Sequence, residues 1–242
     1  MNNRKGSADT NFLAFQLEAE ILRRIAHPRI PGFVEAFSFG DTHYIVEKFI
    51  AGLPLSHLLD SGYRFSEAAV KGFILQLLSI ANDLHCPPRK ENAVVHRDLR
   101  LSNLLLQNDK LYLIDFGLAR FLDPSQFAFC PDPPGSISGD SSVLARALPV
   151  REDQLPSQKI PGVETYRLLR REVSPRSDLF GTGVVAVDLF TNWVEDESHF
   201  RRPWEKVLPL SGPFVVFLKK LLSRQSAFET AAEALEYLKA LP

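Results

Sequence analysis

The 242-residue sequence has almost no excess of charge: 28 Lys and Arg face 29 Asp and Glu, a formal net charge of −1. A balanced chain has no electrostatic reason to seek nucleic acid or an anionic membrane. Cysteine is scarce. Cys86 and Cys130 are the two present, and they lie in segments of different character, which fits free thiols better than a disulfide framework. No run approaches the ~18 apolar residues of a membrane-spanning helix. The start Met1-Asn2-Asn3-Arg4-Lys5-Gly6-Ser7 carries no apolar core behind its basic pair, as a secretion signal would. The expected compartment is therefore the cytoplasm. No internal repeat is visible, and 45% hydrophobic residues suffice for a large core in one domain or two lobes.

What is present centres on one stretch, Val94-Val95-His96-Arg97-Asp98-Leu99-Arg100-Leu101-Ser102-Asn103-Leu104-Leu105-Leu106, followed by Leu111-Tyr112-Leu113-Ile114-Asp115-Phe116-Gly117. Two acids sit at turns between short apolar runs, and an amide follows the first. Phosphoryl transfer needs such a set: one carboxylate to orient a hydroxyl and accept its proton, and an amide oxygen and second carboxylate to hold Mg²⁺ on nucleotide phosphates.

Along the chain, residues 1 to 10 are polar and expected to fray, whereas Phe12, Leu13, Phe15, Leu17, Ile21, Leu22 and Ile25 recur at helical spacing until His27-Pro28. Glu18 and Glu20 on this helix read most simply as solvated charges. Strand-like runs follow at 33–39 and 43–50, joined by the turn signal Gly40-Asp41-Thr42. A short helix to about Ser61 is expected next, then a long one from Ser66-Glu67 to His85, with Phe73, Ile74, Leu77, Leu78, Ile80, Ala81 and Leu84 on its apolar face. Residues 121 to 161, with seven prolines and six serines, read as a long loop that stays mobile unless modified or bound. Helices are expected again at 177–190, 214–222 and 230–241.

The pattern His-Arg-Asp-Leu-x-x-x-Asn, with Asp-Phe-Gly twelve residues after the Asn, resembles the catalytic and metal-binding loops of protein kinases, in particular short bacterial serine/threonine kinases. The resemblance runs over about residues 12 to 241. It implies an α+β fold with a partial small lobe, helix αC plus two antiparallel strands, at 1–52 and a mainly helical large lobe at 53–242, with 121–161 as a long activation segment. The cofactors implied are ATP and Mg²⁺, and the substrate is a protein hydroxyl. Asp98 matches the catalytic base, Asn103 and Asp115 the Mg²⁺ ligands, and Arg100 the cation facing the γ-phosphate. Leu105 matches the floor under adenine, and Lys48 and Ile50 the residues whose backbone meets it. Glu18 falls at the αC glutamate that pairs with a strand lysine. Glu47 takes the gatekeeper position unless the alignment slips by one. Asp178 matches the acid that holds the catalytic-loop backbone, and Arg97 implies an activation segment ordered by phosphate, with Ser157 and Thr165 as possible acceptors.

The sequence also departs from the family. No G-x-G-x-x-G loop and no lysine-bearing strand precede the helix, and Lys5 is a poor substitute. The glutamate that closes the activation segment is missing at Leu168-Leu169-Arg170, and its usual arginine partner is Ala227. Losing both members of a buried pair costs far less than losing one. The expectation is weak ATP binding, low activity, and self-association or a partner along the open edge of strand 43–50. A non-catalytic pseudokinase scaffold, a truncated reading frame and a small-molecule phosphotransferase of the aminoglycoside type are the alternatives.

Overall fold

The computed structural model describes residues 3–127, 172–196, 198–199, 202–223 and 227–242, with side chains from residue 11 onward. Cys130, Ser157, Thr165, Leu168-Leu169-Arg170 and most of the 121–161 segment lie outside these residues, as does the Lys5 side chain.

Helix α1 spans Asn3–Arg24, so it begins earlier than the polar composition of residues 1 to 10 predicts. Leu17, Ile21 and Leu22 are its buried anchors. Strands β1 (Phe33–Phe39) and β2 (Thr42–Glu47) pair antiparallel about a turn at Gly40, whose φ of 59° is the left-handed conformation glycine tolerates best. The second strand is shorter than its predicted extent of 43–50. Its ladder ends where Phe33 meets Glu47, and the next amide, that of Lys48, bonds instead to the Gly32 carbonyl at 2.8 Å.

The chain then crosses into the larger lobe. Strand β3 (Leu53–Pro54) leads into α2 (Leu55–Asp60) and α3 (Glu67–His85). Ser66 caps α3 by accepting from the Ala69 amide, and Val70, Ile74, Leu77, Leu78, Ala81 and Leu84 form its buried stripe. Four short strands follow: β4 (Val94–Val95), β5 (Leu104–Gln107), β6 (Lys110–Leu113) and β7 (Arg120–Phe121). β5 lies between β3 and β6, while β4 pairs with β7. Both small sheets are antiparallel.

Helix α4 (Pro175–Asp188) is buried from Ser177 to Val187 without an exposed stripe, as befits the central helix of a bundle. Helix α5 (Trp204–Val207) buries Trp204, α6 (Gly212–Leu222) packs on α4, and α7 (Ala231–Lys239) packs on α3. Thr230 caps α7 by accepting from the Glu233 amide. Mixed helices and antiparallel strands in two lobes match the expected α+β class.

Candidate active site

The site is built on a strained turn after β4. Arg97 has φ 67°, costly for a non-glycine residue, and Asp178 in the first turn of α4 holds it there. The two Asp178 oxygens accept the His96 amide at 2.9 Å and the Arg97 amide at 2.8 Å. His85, at the end of α3, adds a third bond from Nε2 at 2.8 Å. Burial by itself would raise the Asp178 pKa, but the His85 hydrogen bond and charge, His96 and the backbone bond hold it below the usual carboxylate range. Asp178 was legible in the sequence and its third partner was not. The available signal was phase: His85 is a polar residue on the stripe that contains Ile74, Leu78 and Ala81.

From this anchor the loop places its side chains. His96 Nδ1 accepts the Asp98 amide at 3.2 Å, which leaves Nε2 to donate to the Ile114 carbonyl at 3.2 Å, and its ring meets Phe116 edge-on at 4.8 Å. His96 and Phe116 thus pack and orient the loop. Asn103 Nδ2 donates to the Asp98 carbonyl at 3.1 Å and to Asp98 Oδ2 at 3.0 Å. Arg100 Nε lies 3.1 Å from Asp98 Oδ2 as an ion pair that closes no hydrogen bond, and its Nη2 is 3.9 Å from Asp115 Oδ2. The Ile114 amide bonds to the Asn103 carbonyl at 3.0 Å and ties the two loops to each other. Asp115, φ 66°, projects an exposed carboxylate whose Oδ1 accepts the Gly117 amide at 3.3 Å. Asp98, Arg100, Asn103 and Asp115 therefore form one cluster.

The remaining candidates lie on α1, on the strip after β2 and on β5. Leu105 lies under the connecting strip: a Cβ on Gly52 would stand 2.9 Å from Leu105 Cβ, a contact only glycine permits. Lys48 and Ile50 stand on that strip, apart from the acidic cluster, and the Lys48 amide is already engaged with Gly32. Glu18 and Glu20 behave differently on the same helix. Glu20 pairs with Arg23 and Arg24 at 2.6 and 2.7 Å, as a surface charge does. Glu18 turns inward, and burial, then Asp115, then Glu47 push its pKa up to about 7. Glu47 also turns inward at the end of β2. Burial and Asp115 raise its pKa, and its Oε1 is buried with no hydrogen-bond partner.

Comparison with known proteins agrees with this architecture. The protein kinase domain profile matches residues 1–135, more than half of the chain. This chain belongs to the protein kinase family. It is 35% identical over 123 residues to the probable serine/threonine-protein kinase YbdM of Bacillus subtilis, covering 50% of this chain and 46% of that protein. It is 26% identical over 234 residues to serine/threonine-protein kinase B of Synechocystis, covering 93% of this chain and 37% of that protein. The mouse hormonally up-regulated neu tumor-associated kinase is 31% identical over 155 residues, covering 63% and 21%. This kinase-family chain thus spans less than half the length of the curated relatives it matches. No described helix is long and apolar enough to cross a membrane.

Proposed function

We propose that this chain is a serine/threonine protein kinase that moves the γ-phosphoryl group of ATP to a protein hydroxyl in the cytoplasm, with 1–52 as nucleotide lobe and 53–242 as substrate lobe. The observation that carries it is the Asp98 carboxylate, held by Asn103 and Arg100, with the same Arg100 3.9 Å from the Asp115 carboxylate. In this reading Asp98 orients the hydroxyl and takes its proton, while Arg100 neutralises phosphate charge. The Lys48 carbonyl and the Ile50 backbone meet adenine above Leu105, and Glu18 belongs to the phosphate-binding side.

The donor set fits Mg²⁺. Asn103 and Asp115 offer one amide oxygen and one carboxylate, the few hard ligands this ion takes beside substrate phosphates. When bound, the ion neutralises charge on the transferring phosphoryl group. The chain's own part is to hold Asn103 through the Asp98 carbonyl and to leave the Asp115 carboxylate open to the cleft.

The pseudokinase alternative draws on Glu18 and Glu47, which meet no cation among the described residues. Incubation of the purified chain with Mg²⁺ and γ-labelled ATP beside a generic protein substrate separates the two. The kinase reading expects label transfer that Asp98→Asn and Asp115→Asn each reduce by about a hundredfold or more. An unchanged rate in Asp98→Asn would overturn the base assignment, and no transfer at all would favour the scaffold. We also place a partner or a second copy along the edge of β2 that no described strand pairs with.

A further inference from the structure

One guanidinium spans both carboxylates of the site. Arg100 Nε lies 3.1 Å from Asp98 Oδ2, and Nη2 of the same side chain lies 3.9 Å from Asp115 Oδ2. The local chain brings this about. Arg100 is in extended backbone just ahead of the short turn Leu101–Asn103, and the bond from the Ile114 amide to the Asn103 carbonyl draws the Asp115 loop against that turn. The contact with Asp115 is loose in two respects. At 3.9 Å it is longer than a hydrogen bond, so charge alone holds it. The Asp115 side chain is also 49% exposed, which leaves room for another cation to approach. On the Asp98 side, Arg100 Nε is buried yet closes no hydrogen bond.

The residue type matters here. A lysine ammonium is a single point of charge, whereas a guanidinium carries separate N–H groups on a planar fork and can face two acids at once. Arginine also stays charged across the working pH range, so it is a permanent counter-charge. A bare divalent cation that approaches Asp115 meets the repulsion of Arg100. Phosphate oxygens do the opposite, since they offer the fork a bidentate partner of its own. The same side chain therefore resists a metal that comes alone and yields to one that comes with phosphate.

Resting on the assignment of Asp115 as a Mg²⁺ ligand proposed above, we infer that Arg100 is the resident counter-cation of Asp115, which holds down the affinity for bare Mg²⁺ and so couples metal binding to nucleotide binding. The coupling is reciprocal: the factor by which nucleotide tightens metal is the factor by which metal tightens nucleotide. This role is separate from the neutralisation of phosphate charge, because it acts through Asp115 before any phosphate is present.

The test uses the full chain and Mn²⁺ as the probe, with free Mn²⁺ counted by electron paramagnetic resonance. Without nucleotide, Arg100→Gln is expected to bind Mn²⁺ about five- to tenfold tighter than wild type at low salt, a gap that narrows as salt rises because the pair is partly exposed. Arg100→Lys, which keeps the charge but not the fork, should fall between the two. Arg64→Gln removes a positive charge from the separate pair with Glu195 and should match wild type. A fluorescent, non-hydrolysable ATP analogue then reads the coupling. Mn²⁺ should tighten its binding by a larger factor in wild type than in Arg100→Gln; binding of metal to the analogue in solution is common to both chains and cancels. Unchanged or weaker Mn²⁺ binding in Arg100→Gln and Arg100→Lys would overturn the inference. Equal tightening in Arg64→Gln would overturn it in favour of a general effect of net charge, and equal coupling in both chains would overturn the link to nucleotide. No Mn²⁺ binding in any chain would overturn it together with the Mg²⁺ assignment. None of these readouts involves phosphate transfer. A chain with the Arg100 effect but no transfer keeps this role and loses the enzyme reading; a chain that transfers phosphate with Mn²⁺ affinity indifferent to Arg100 does the reverse.

Discussion

The two lobes solve the same folding problem by different means. In the larger lobe, α3, α4, α6 and α7 bury apolar stripes against one another, and Phe214, Phe217, Phe228 and Tyr237 form a continuous ring cluster with centroids 5.3 to 6.0 Å apart. Among the described residues of the smaller lobe, one helix covers one face of a two-stranded sheet, and the other face leaves Phe37, Phe39 and Tyr44 exposed. The first arrangement closes its core from several sides. The second has one described helix and one described ladder, an arrangement that packs from fewer sides. It follows that the large lobe closes its apolar core, while the small lobe exposes Phe37, Phe39 and Tyr44 and turns Glu18 and Glu47 inward with no described cation.

The contrast can be broken most forcefully at Phe217, which is fully buried and touches three other aromatic rings. Phe217→Ala should cost about 3–5 kcal/mol, read as a lower urea midpoint. A loss below about 1 kcal/mol would mean that the ring cluster is not the core.

A smaller effect tests the acidic end of the small lobe. Because the folded chain holds the Glu18 proton up to about pH 7, against an ordinary 4.5, this group favours folding at low pH. Its contribution fades as pH rises from 4.5 to 7, by at most about 3.4 kcal/mol at 1.36 kcal/mol per unit. Glu47 acts in the same direction. Glu18→Gln should flatten the dependence between pH 5 and 8 and raise stability at the upper end. Denaturation curves at both pH values measure it, and an unaltered slope would show that Glu18 is not the titrating group.

The smallest expected effect sharpens the contrast. Phe37 is 45% exposed and stacks on Tyr44 at 5.2 Å. Phe37→Ala should lower the urea midpoint by an amount equivalent to less than about 1 kcal/mol. A loss as large as that of Phe217→Ala would show that the outer sheet face is covered in solution.

Much of the fold could be read from local pattern. The α3 stripe, its Ser66 cap, the Gly40 turn and the paired Asp98 and Asp115 loops all follow from spacing and from the chemistry of neighbouring residues. Boundaries were less legible. β2 stops at Glu47 because its partner strand begins at Phe33, a fact about pairing rather than propensity. Glu18 and Glu20 are the same residue type, two positions apart on one helix; the residues by themselves read both as solvated, and only the family resemblance singled out Glu18. About 200° of helical rotation separates them, and the packing of α1 against β2 decided which faced water. His85 likewise became a ligand of Asp178 only when α3 met α4. Sequence by itself determined the residue types and their order along the chain, because caps, turns and helical stripes are local. Only the tertiary structure decided which charges were sealed together, because burial and Coulomb energy depend on neighbours that are distant in the chain.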